Sequence, residues 1–494
     1  MVTLTPQTAV YTTAQVRQLD QIAIQRQGIA GYELMCRAAQ AAFENLINFW
    51  PNTQTICVIC GAGNNAGDGY VLARLAQQAG LEVDVISLSD PHCLQADAQQ
   101  AYQDYVALGE DAIAYAGTLS SADVYVDALL GTGLSRPLSD SYLQVVQQLN
   151  AQPQPILAVD VPSGLNSDTG QPLPIAIQAN VTVTFIAWKQ GLLTGQARDY
   201  CGELVLANLD LPKAVYQAVT TQNFILDDNY LHQALPKRKR SAHKGHFGRS
   251  VLIGGNAGMS GAIQLAGQAA LRTGSGLVSI ITHEAHAPFL NVTQPELMVL
   301  AATAANDNVI ADRLYTANAL GIGPGLGQNA WGQHWFDLLS SSATCRVLDA
   351  DALNLLAQQP HERSDWILTP HPTEAARLLG TTTQAIEADR MSAAQLLQQR
   401  YGGVIVLKGA GSIVASATQC AFCIDGNPGM ASGGMGDLLT GIITALLAQG
   451  FALFEAAALG VFIHAQAGDL AAQQGERGLI ASDMLSFIRT VVNP

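Results

Sequence analysis

The segment GNPGMASGGMGDLLTGIITALLAQG, Gly426 to Gly450, sets four glycines (Gly429, Gly433, Gly434 and Gly436) in the eight residues before Asp437 and an apolar run after it. Ordered glycine costs backbone entropy, so a cluster of this density needs a physical reason. Backbone N–H groups of Gly433, Gly434 and Gly436, at the start of a helix that Asp437 begins, would form an anion pocket that side chains would obstruct. A carboxylate beside such a pocket is placed to take a proton from a hydroxyl that meets a phosphoryl group. The competing reading is a turn into a buried helix, with Asp437 favourable there through the helix dipole alone. The residues around the segment decide between them.

At 494 residues the chain exceeds one ordinary core, so two domains are expected. A composition 49% hydrophobic and 13% charged, with 46 glycines, reads as soluble, globular and α/β. The formal charge of −15 argues against a nucleic-acid or anionic-membrane surface, so bound phosphates must be held largely by backbone N–H groups and helix ends. The start, MVTLTPQTAVYTTAQ, lacks a basic region followed by an apolar run, and no apolar stretch is long enough to span a bilayer. A cytoplasmic protein without nucleic-acid or membrane partners is expected. Two C-x-x-C pairs, Cys57/Cys60 and Cys420/Cys423, fall in strand-like runs. A spacing of three on a strand points side chains to opposite faces, which suits buried thiols and not chelation.

Both halves repeat the strand–turn–helix rhythm of a parallel sheet. In the first, helical periodicity over TTAQVRQLDQIAIQRQG and YELMCRAAQAAFENLINFW precedes the strands TICVICG, LEVDVISL, ADVYVDALLG, PILAVDVPSG, VTVTFIA and GELVLANL. The second shows SVLIGG, GLVSII, ALGIGPG, RVLDAD, WILTPH and GVIVLKGAG between Ala- and Leu-rich helices. A polar stretch from Thr221 to Ser241 places the boundary near residue 224, giving domains 1–224 and 225–494. Its basic run, Lys237 to Arg240, reads as a solvated segment.

In the first half, CGAGNNAGDGY (Cys60–Tyr70) lies between a strand and a helix expected to start near Tyr70, the place where an open sheet binds ligands. The spacing G-x-G-x-x-x-G fits a dehydrogenase-type dinucleotide fingerprint poorly, and the strand LEVDVISL has no acidic residue at its end to hold a ribose. Two more strand ends are polar, VDALLGTGLSRPL from Val126 and AVDVPSGLNSDTG from Ala158. Asn65, Asp127 and Ser163 are oxygen donors that together suit a cation, and Asp160 in a dry cleft is a candidate general acid or base. Asp and Ser there also cap turns, which is the bland reading for any one of them.

NNAGDGY…ARLA, DALLGTGL and VDVPSGL resemble the N-terminal domain of the bifunctional NAD(P)H-hydrate repair enzymes, which epimerises the hydrated nicotinamide cofactor with a bound potassium ion. The resemblance implies a Rossmann-like three-layer domain whose substrate site takes in Asn64, Asn65, Ala66, Gly67 and Asp68, then Gly131, Thr132, Gly133, Leu134, Ser135, Arg136 and Pro137. Asn65, Asp127 and Ser163 fall at the potassium positions, and Asp160 contacts substrate and moves protons. Ala66 stands where the family has glycine, and would be strained if that position required positive φ.

HKGHFGRSVLIGGNAGMSGAIQLAGQAALRTGSGLVSI, GIGPGLG, VLDADALNLL, LTPHPTEAARLLG, VLKGAGSIVA and the opening segment resemble, in order, the C-terminal dehydratase domain of the same enzymes, of ribokinase-like fold. This implies removal of water from the S-form of hydrated NADH or NADPH with ADP and magnesium. Ala262, Gly325, His371 and Asp437 would face the hydrated cofactor; Lys408, Gly409, Ala410, Gly411, Ser412 and Gly436 would hold the nucleotide. PHPTE departs from the usual P-H-x-G-E but keeps His371 and Glu374. Implied partners are the NADH and NADPH hydrates and ADP, with a homo-oligomer expected. The rivals are a vitamin or sugar kinase of the ribokinase-like class fused to a Rossmann-like domain, and a non-enzymatic interaction scaffold.

Overall fold

The structure, a computed structural model, describes residues 5, 7–134, 136–303, 307–340 and 342–494. The chain divides into two compact units, one up to Asn223 and the other from Phe224 to Pro494.

The N-terminal unit is built on seven strands: β1 (Thr55–Cys60), β2 (Glu82–Ser87), β3 (Ile113–Ala114), β4 (Val124–Ala128), β5 (Ile156–Val159), β6 (Val181–Phe185) and β7 (Glu203–Ala207). Their order is β3-β2-β1-β4-β5-β6-β7, with all neighbours parallel. A parallel sheet covered on both faces needs strands that are apolar throughout, which is why TICVIC does not alternate in polarity. Its side chains still alternate in direction. Ile56, Val58 and Cys60 join the core under the helices Gly31–Phe49, Asn64–Gln78 and Ala96–Val106, whereas Cys57 and Ile59 join the opposite core under Asp140–Asn150. Cys57 and Cys60 therefore lie on different faces, both buried and free.

The C-terminal unit repeats the architecture with β8 (Arg249–Ile253), β9 (Leu277–Thr282), β10 (Met298–Ala301), β11 (Ala319–Ile322), β12 (Arg346–Leu348), β13 (Trp366–Leu368), β14 (Val404–Leu407), β15 (Ser412–Ala415) and β16 (Cys420–Cys423). The order β10-β9-β8-β11-β12-β13-β14 is parallel, and β15 and β16 extend it antiparallel. The helix Met435–Ala448 lies almost wholly buried against Ser260–Thr273. At Gly441 a Cβ would stand 2.1 Å from the Ala266 carbonyl oxygen, so only glycine permits this approach. The basic run is not simply solvated. Arg238 donates to the Gly274 carbonyl at 2.7 Å and to Gln449 Oε1 at 2.8 Å, and lies 3.7 Å from the Phe247 ring centroid. It thus pins the C-terminal ends of those two helices. Among the described residues, no helix is long and apolar enough to cross a membrane.

Candidate functional site

In each unit the strand order reverses once, between β1 and β4 and between β8 and β11, and at such switch points loops diverge to leave a crevice. The polar motifs follow strands that are neighbours along these edges.

In the N-terminal unit the segment after β1 is helical from Asn64, six residues ahead of the expected start at Tyr70. Ala66 is fully buried, and it is not among the residues with positive φ, so the condition under which alanine would be strained is not met. Gly67 is needed for packing: a Cβ there would meet Met35 Cε at 2.6 Å and Ala98 Cα at 3.0 Å. Ala66 and Gly67 face the core, Asn64 is exposed, and Asn65 turns toward the loop after β4. A Cβ on Gly131 would lie 3.2 Å from Asn65 Oδ1 and 3.3 Å from Asp160 Oδ2, so three of the anticipated segments meet at Gly131. Asn65 Nδ2 is buried without a hydrogen-bond partner among the described residues. The Thr132 carbonyl accepts from Arg17 at 2.9 Å; Gly133 and Leu134 continue the loop, Arg136 and Pro137 are exposed, and Ser135 lies outside the described residues.

Asp160 has φ of 69°, a left-handed conformation that costs a non-glycine residue on the order of 1 kcal/mol or more and persists only when the surroundings impose it. Those surroundings centre on Lys189, which is 1% exposed. Its ammonium donates to Asp160 Oδ1 at 2.7 Å, Thr184 Oγ1 at 2.8 Å and the Phe185 carbonyl at 2.9 Å, so all three donors are used. Sequence reasoning missed Lys189; the available signal was a single charge in the otherwise uncharged run Val181–Gly195. Burial, and then the Asp160 and Asp20 carboxylates, hold the Asp68 carboxyl well above the ordinary range.

Asp127 and Ser163 are in direct contact. Asp127 Oδ1 accepts from Ser163 Oγ at 2.6 Å and from the Leu129 N–H at 3.2 Å, and Oδ2 accepts from the Ser163 N–H at 2.7 Å. The carboxyl is fully buried, and burial pushes its pKa up to about 6 against the pull of these bonds. All of these partners are neutral. An anionic group in this setting fits a nearby cation of low charge density.

In the C-terminal unit five strand ends in a row carry the motifs. After β8 and β11 the loops interlock: the Gly255 N–H donates to the Pro324 carbonyl at 3.0 Å and the Asn256 N–H to the Gly325 carbonyl at 2.7 Å. Ala262 lies beside Gly325, whose Cβ position would be 3.4 Å from the Ala262 Cβ. Asp349 follows β12, His371 follows β13, and Lys408 to Gly411 follow β14.

The helix that follows the glycines begins at Met435, with Gly434 as its N-cap at φ of 94°. The glycines serve different purposes. A Cβ on Gly434 would point into the core, 2.7 Å from Leu265 Cδ1 and 3.0 Å from Ala481 Cβ, so Gly434 does not keep the anion pocket open, as its place in the motif suggested. A Cβ on Gly436 would point into the site, 3.3 Å from Lys408 Nζ and 3.5 Å from Asp349 Oδ2. Asp349 was not anticipated. Its Oδ1 accepts from Lys408 Nζ at 2.8 Å and Thr369 Oγ1 at 2.9 Å, and its Oδ2 from Thr440 Oγ1 at 2.9 Å. Glu374 Oε2 is a second anionic neighbour of Lys408, at 3.8 Å. Burial, then the Asp349 charge, lifts the Asp437 pKa to about 7, although Lys408 draws it down. That value is matched to proton transfer near neutrality.

His371 is the N-cap of the helix Pro372–Leu379 and forms a capping box: its Nδ1 accepts from the Thr373 N–H at 3.1 Å, while Glu374 Oε2 accepts from the His371 N–H at 2.9 Å. The imidazole is largely exposed, and its pKa is lowered, first by partial burial and then by the Lys408 charge. Nε2 remains directed at the Glu374 side, 3.4 Å from Oε1. Ser412 Oγ closes the turn after β14 on the Gly409 carbonyl at 3.0 Å.

A family model described as NAD(P)H-hydrate dehydratase matches residues 250–490, and one described as YjeF-related protein N-terminus matches residues 31–191. A bifunctional NAD(P)H-hydrate repair enzyme of Coxiella burnetii is 46% identical over 490 residues, covering 99% of this chain and 100% of its own. The protein of that name from Escherichia coli K12 is 44% identical over 473 residues, covering 94% and 90%. A solved ribokinase-like superfamily protein from Enterococcus faecalis V583 superposes with a TM-score of 0.52 at 29% identity, covering 55% of this chain and 96% of that one. With relatives matched from end to end and a family model on each unit, the chain belongs to the family of bifunctional NAD(P)H-hydrate repair enzymes.

Proposed function

We propose that the N-terminal unit interconverts the R and S forms of hydrated NADH and NADPH, and that the C-terminal unit returns the S form to the intact cofactor while ADP becomes AMP and phosphate. The observation that carries the second reaction is the placing of Asp437, poised near neutrality, next in the chain to Gly436, whose missing side chain leaves room beside Lys408 and Asp349. Asp437 takes the proton of the substrate hydroxyl as that oxygen bonds to the terminal phosphorus of ADP and the bond to the AMP oxygen breaks. Lys408, with Asp349 and Glu374 holding its ammonium, offsets charge on the phosphoryl oxygens. The hydroxyl, a poor leaving group, is now a phosphate ester; phosphate departs, a ring proton is lost and the dihydronicotinamide is restored. Magnesium would enter with the nucleotide, carried mainly by phosphate oxygens and water, opposite the carboxylates that border Gly436.

For the epimerase, Asp160 is the acid–base group, aimed by Lys189 and by its own constrained backbone. Asn65, Asp127 and Ser163 would hold potassium, whose charge would balance the buried Asp127 carboxylate and orient a bound hydroxyl or amide oxygen. The orphaned Asn65 Nδ2 is a donor available to the substrate. Eight free cysteines, four of them in the two C-x-x-C pairs and buried, support a reducing compartment such as the cytoplasm. The test is stoichiometric. Pure S-hydrate with ADP should yield one reduced cofactor, one AMP and one phosphate per turnover; ADP consumed without cofactor restored, or cofactor restored without ADP, contradicts the reading.

A further inference from the structure

Beneath the turn that follows β14 lies Arg390, the first residue of the helix Arg390–Tyr401 and only 1% exposed. A buried guanidinium is expensive, and a cation in the first turn of a helix also opposes the dipole. The residue is therefore held by specific partners. Its Nη1 pairs with Glu387 Oε1 at 3.0 Å, and its Nη2 donates to the Lys408 carbonyl at 3.0 Å and the Leu407 carbonyl at 3.3 Å. The next residue, Gly409, has φ of 143°, and a Cβ there would stand 2.8 Å from Arg390 Nη2 and 2.9 Å from Nη1. The turn thus rests directly on the guanidinium plane. From its other side, the Lys408 N–H donates to the Pro370 carbonyl at 3.0 Å.

Lys408 is therefore fixed at both ends of its backbone, one end by the segment before His371 and the other by Arg390. We infer that Arg390 is a positioning residue for the nucleotide: it sets the height of the turn Lys408–Ser412 and the point from which Lys408 reaches Asp349, while itself touching no ligand. The inference rests on the assignment of this turn to ADP. Lysine in place of Arg390 keeps a charge for Glu387, but its single ammonium lacks the planar fork that serves two carbonyls and a carboxylate at once.

The experiment measures ADP binding by calorimetry, and the dehydration KM for ADP and kcat, in the full-length chain. For Arg390→Lys, ADP affinity should fall on the order of tenfold or more and KM should rise in parallel. The kcat at saturating ADP should fall by a smaller factor than the affinity, because Lys408 keeps its charge, and epimerisation in the other unit should not change. Glu387→Gln leaves both carbonyl bonds in place, so it should hold ADP affinity within about twofold of wild type. Wild-type ADP affinity in folded Arg390→Lys overturns the inference. If Arg390→Lys does not fold, Gly409→Ala decides, because its methyl lifts the turn from the guanidinium without altering the buried charge; wild-type affinity there also overturns it. Failure of the wild-type chain to bind ADP would instead overturn the nucleotide assignment itself.

Discussion

Replacing Asp437 with asparagine separates a catalytic base from a helix cap, because the two roles predict opposite changes in stability. The carboxyl stands at about 7 in the folded chain, against an ordinary value near 3.9. The folded state therefore holds the proton more tightly than the unfolded state. Stability is lost as pH rises from about 4 to about 7, and the whole cost, up to about 4 kcal/mol, stands at pH 8. Asparagine cannot ionise and escapes that cost, giving up only a helix-dipole contribution of about 0.3–1 kcal/mol. The Asp437→Asn chain should accordingly melt at or above the wild-type temperature at pH 8. Its dehydration rate should fall on the order of 10²–10⁴-fold, the usual loss for a missing general base. In the wild type, dehydration should decline about tenfold per pH unit below about 7 as the base is protonated. The assay follows the dihydronicotinamide absorbance with pure S-hydrate and saturating ADP, alongside calorimetric melting at pH 8. A variant that retains more than about 10% of wild-type turnover, or that melts lower while staying active, refutes the base assignment.

Further outcomes follow from the same geometry. Gly436→Val should abolish ADP binding with little change in melting, because its side chain enters the site beside Lys408 and Asp349. Gly434→Val should chiefly destabilise the C-terminal unit, since a branched residue at φ of 94° is strained and collides with Leu265; calorimetry and ADP titration tell the two apart, and equal effects would contradict the directions of these side chains. Lys189→Met, by leaving Asp160 without its cation, should reduce epimerisation by at least about tenfold and leave dehydration of S-hydrate unchanged. Potassium should raise the melting temperature of the N-terminal unit more at pH 7.5 than at pH 5, with tetramethylammonium as the control. The Asp127 carboxyl, raised to about 6 when folded, is protonated at pH 5 and then competes with the cation; a shift independent of pH would count against Asp127 as the holder of potassium.

The parallel strands were legible because a strand buried on both faces must be a continuous apolar run, and TICVIC and VIVL have little other use. The ends of those strands were legible for the same reason, since Asp, Ser and Gly crowd where the apolar runs stop. What could not be read was set by contacts distant in sequence. Asp349 meets Lys408 across 59 residues and Thr440 across 91, and nothing local to VLDADALN marks that carboxylate as the anchor of the site. Lys189 reaches Asp160 only because β6 and the segment after it pass beside β5. The helix at Asn64 was missed because glycine and asparagine argue for a loop on propensity, whereas Gly67 and Gly69 are there to let the helix pack closely on Met35 and Ala128. The two glycines of the opening segment look alike in sequence. Only the backbone tells that Gly434 faces the core and Gly436 the site.

The division of labour between the two units is tested most directly by separate expression of residues 1–224 and 225–494, each offered the R and S hydrates of NADH with ADP. The C-terminal piece alone should restore NADH from the S form and leave the R form untouched. Adding the N-terminal piece should bring the R form to full recovery, and the N-terminal piece alone should yield no NADH while equilibrating the two hydrates. Recovery of the R form by the C-terminal piece alone, or of either form without ADP, would contradict the account.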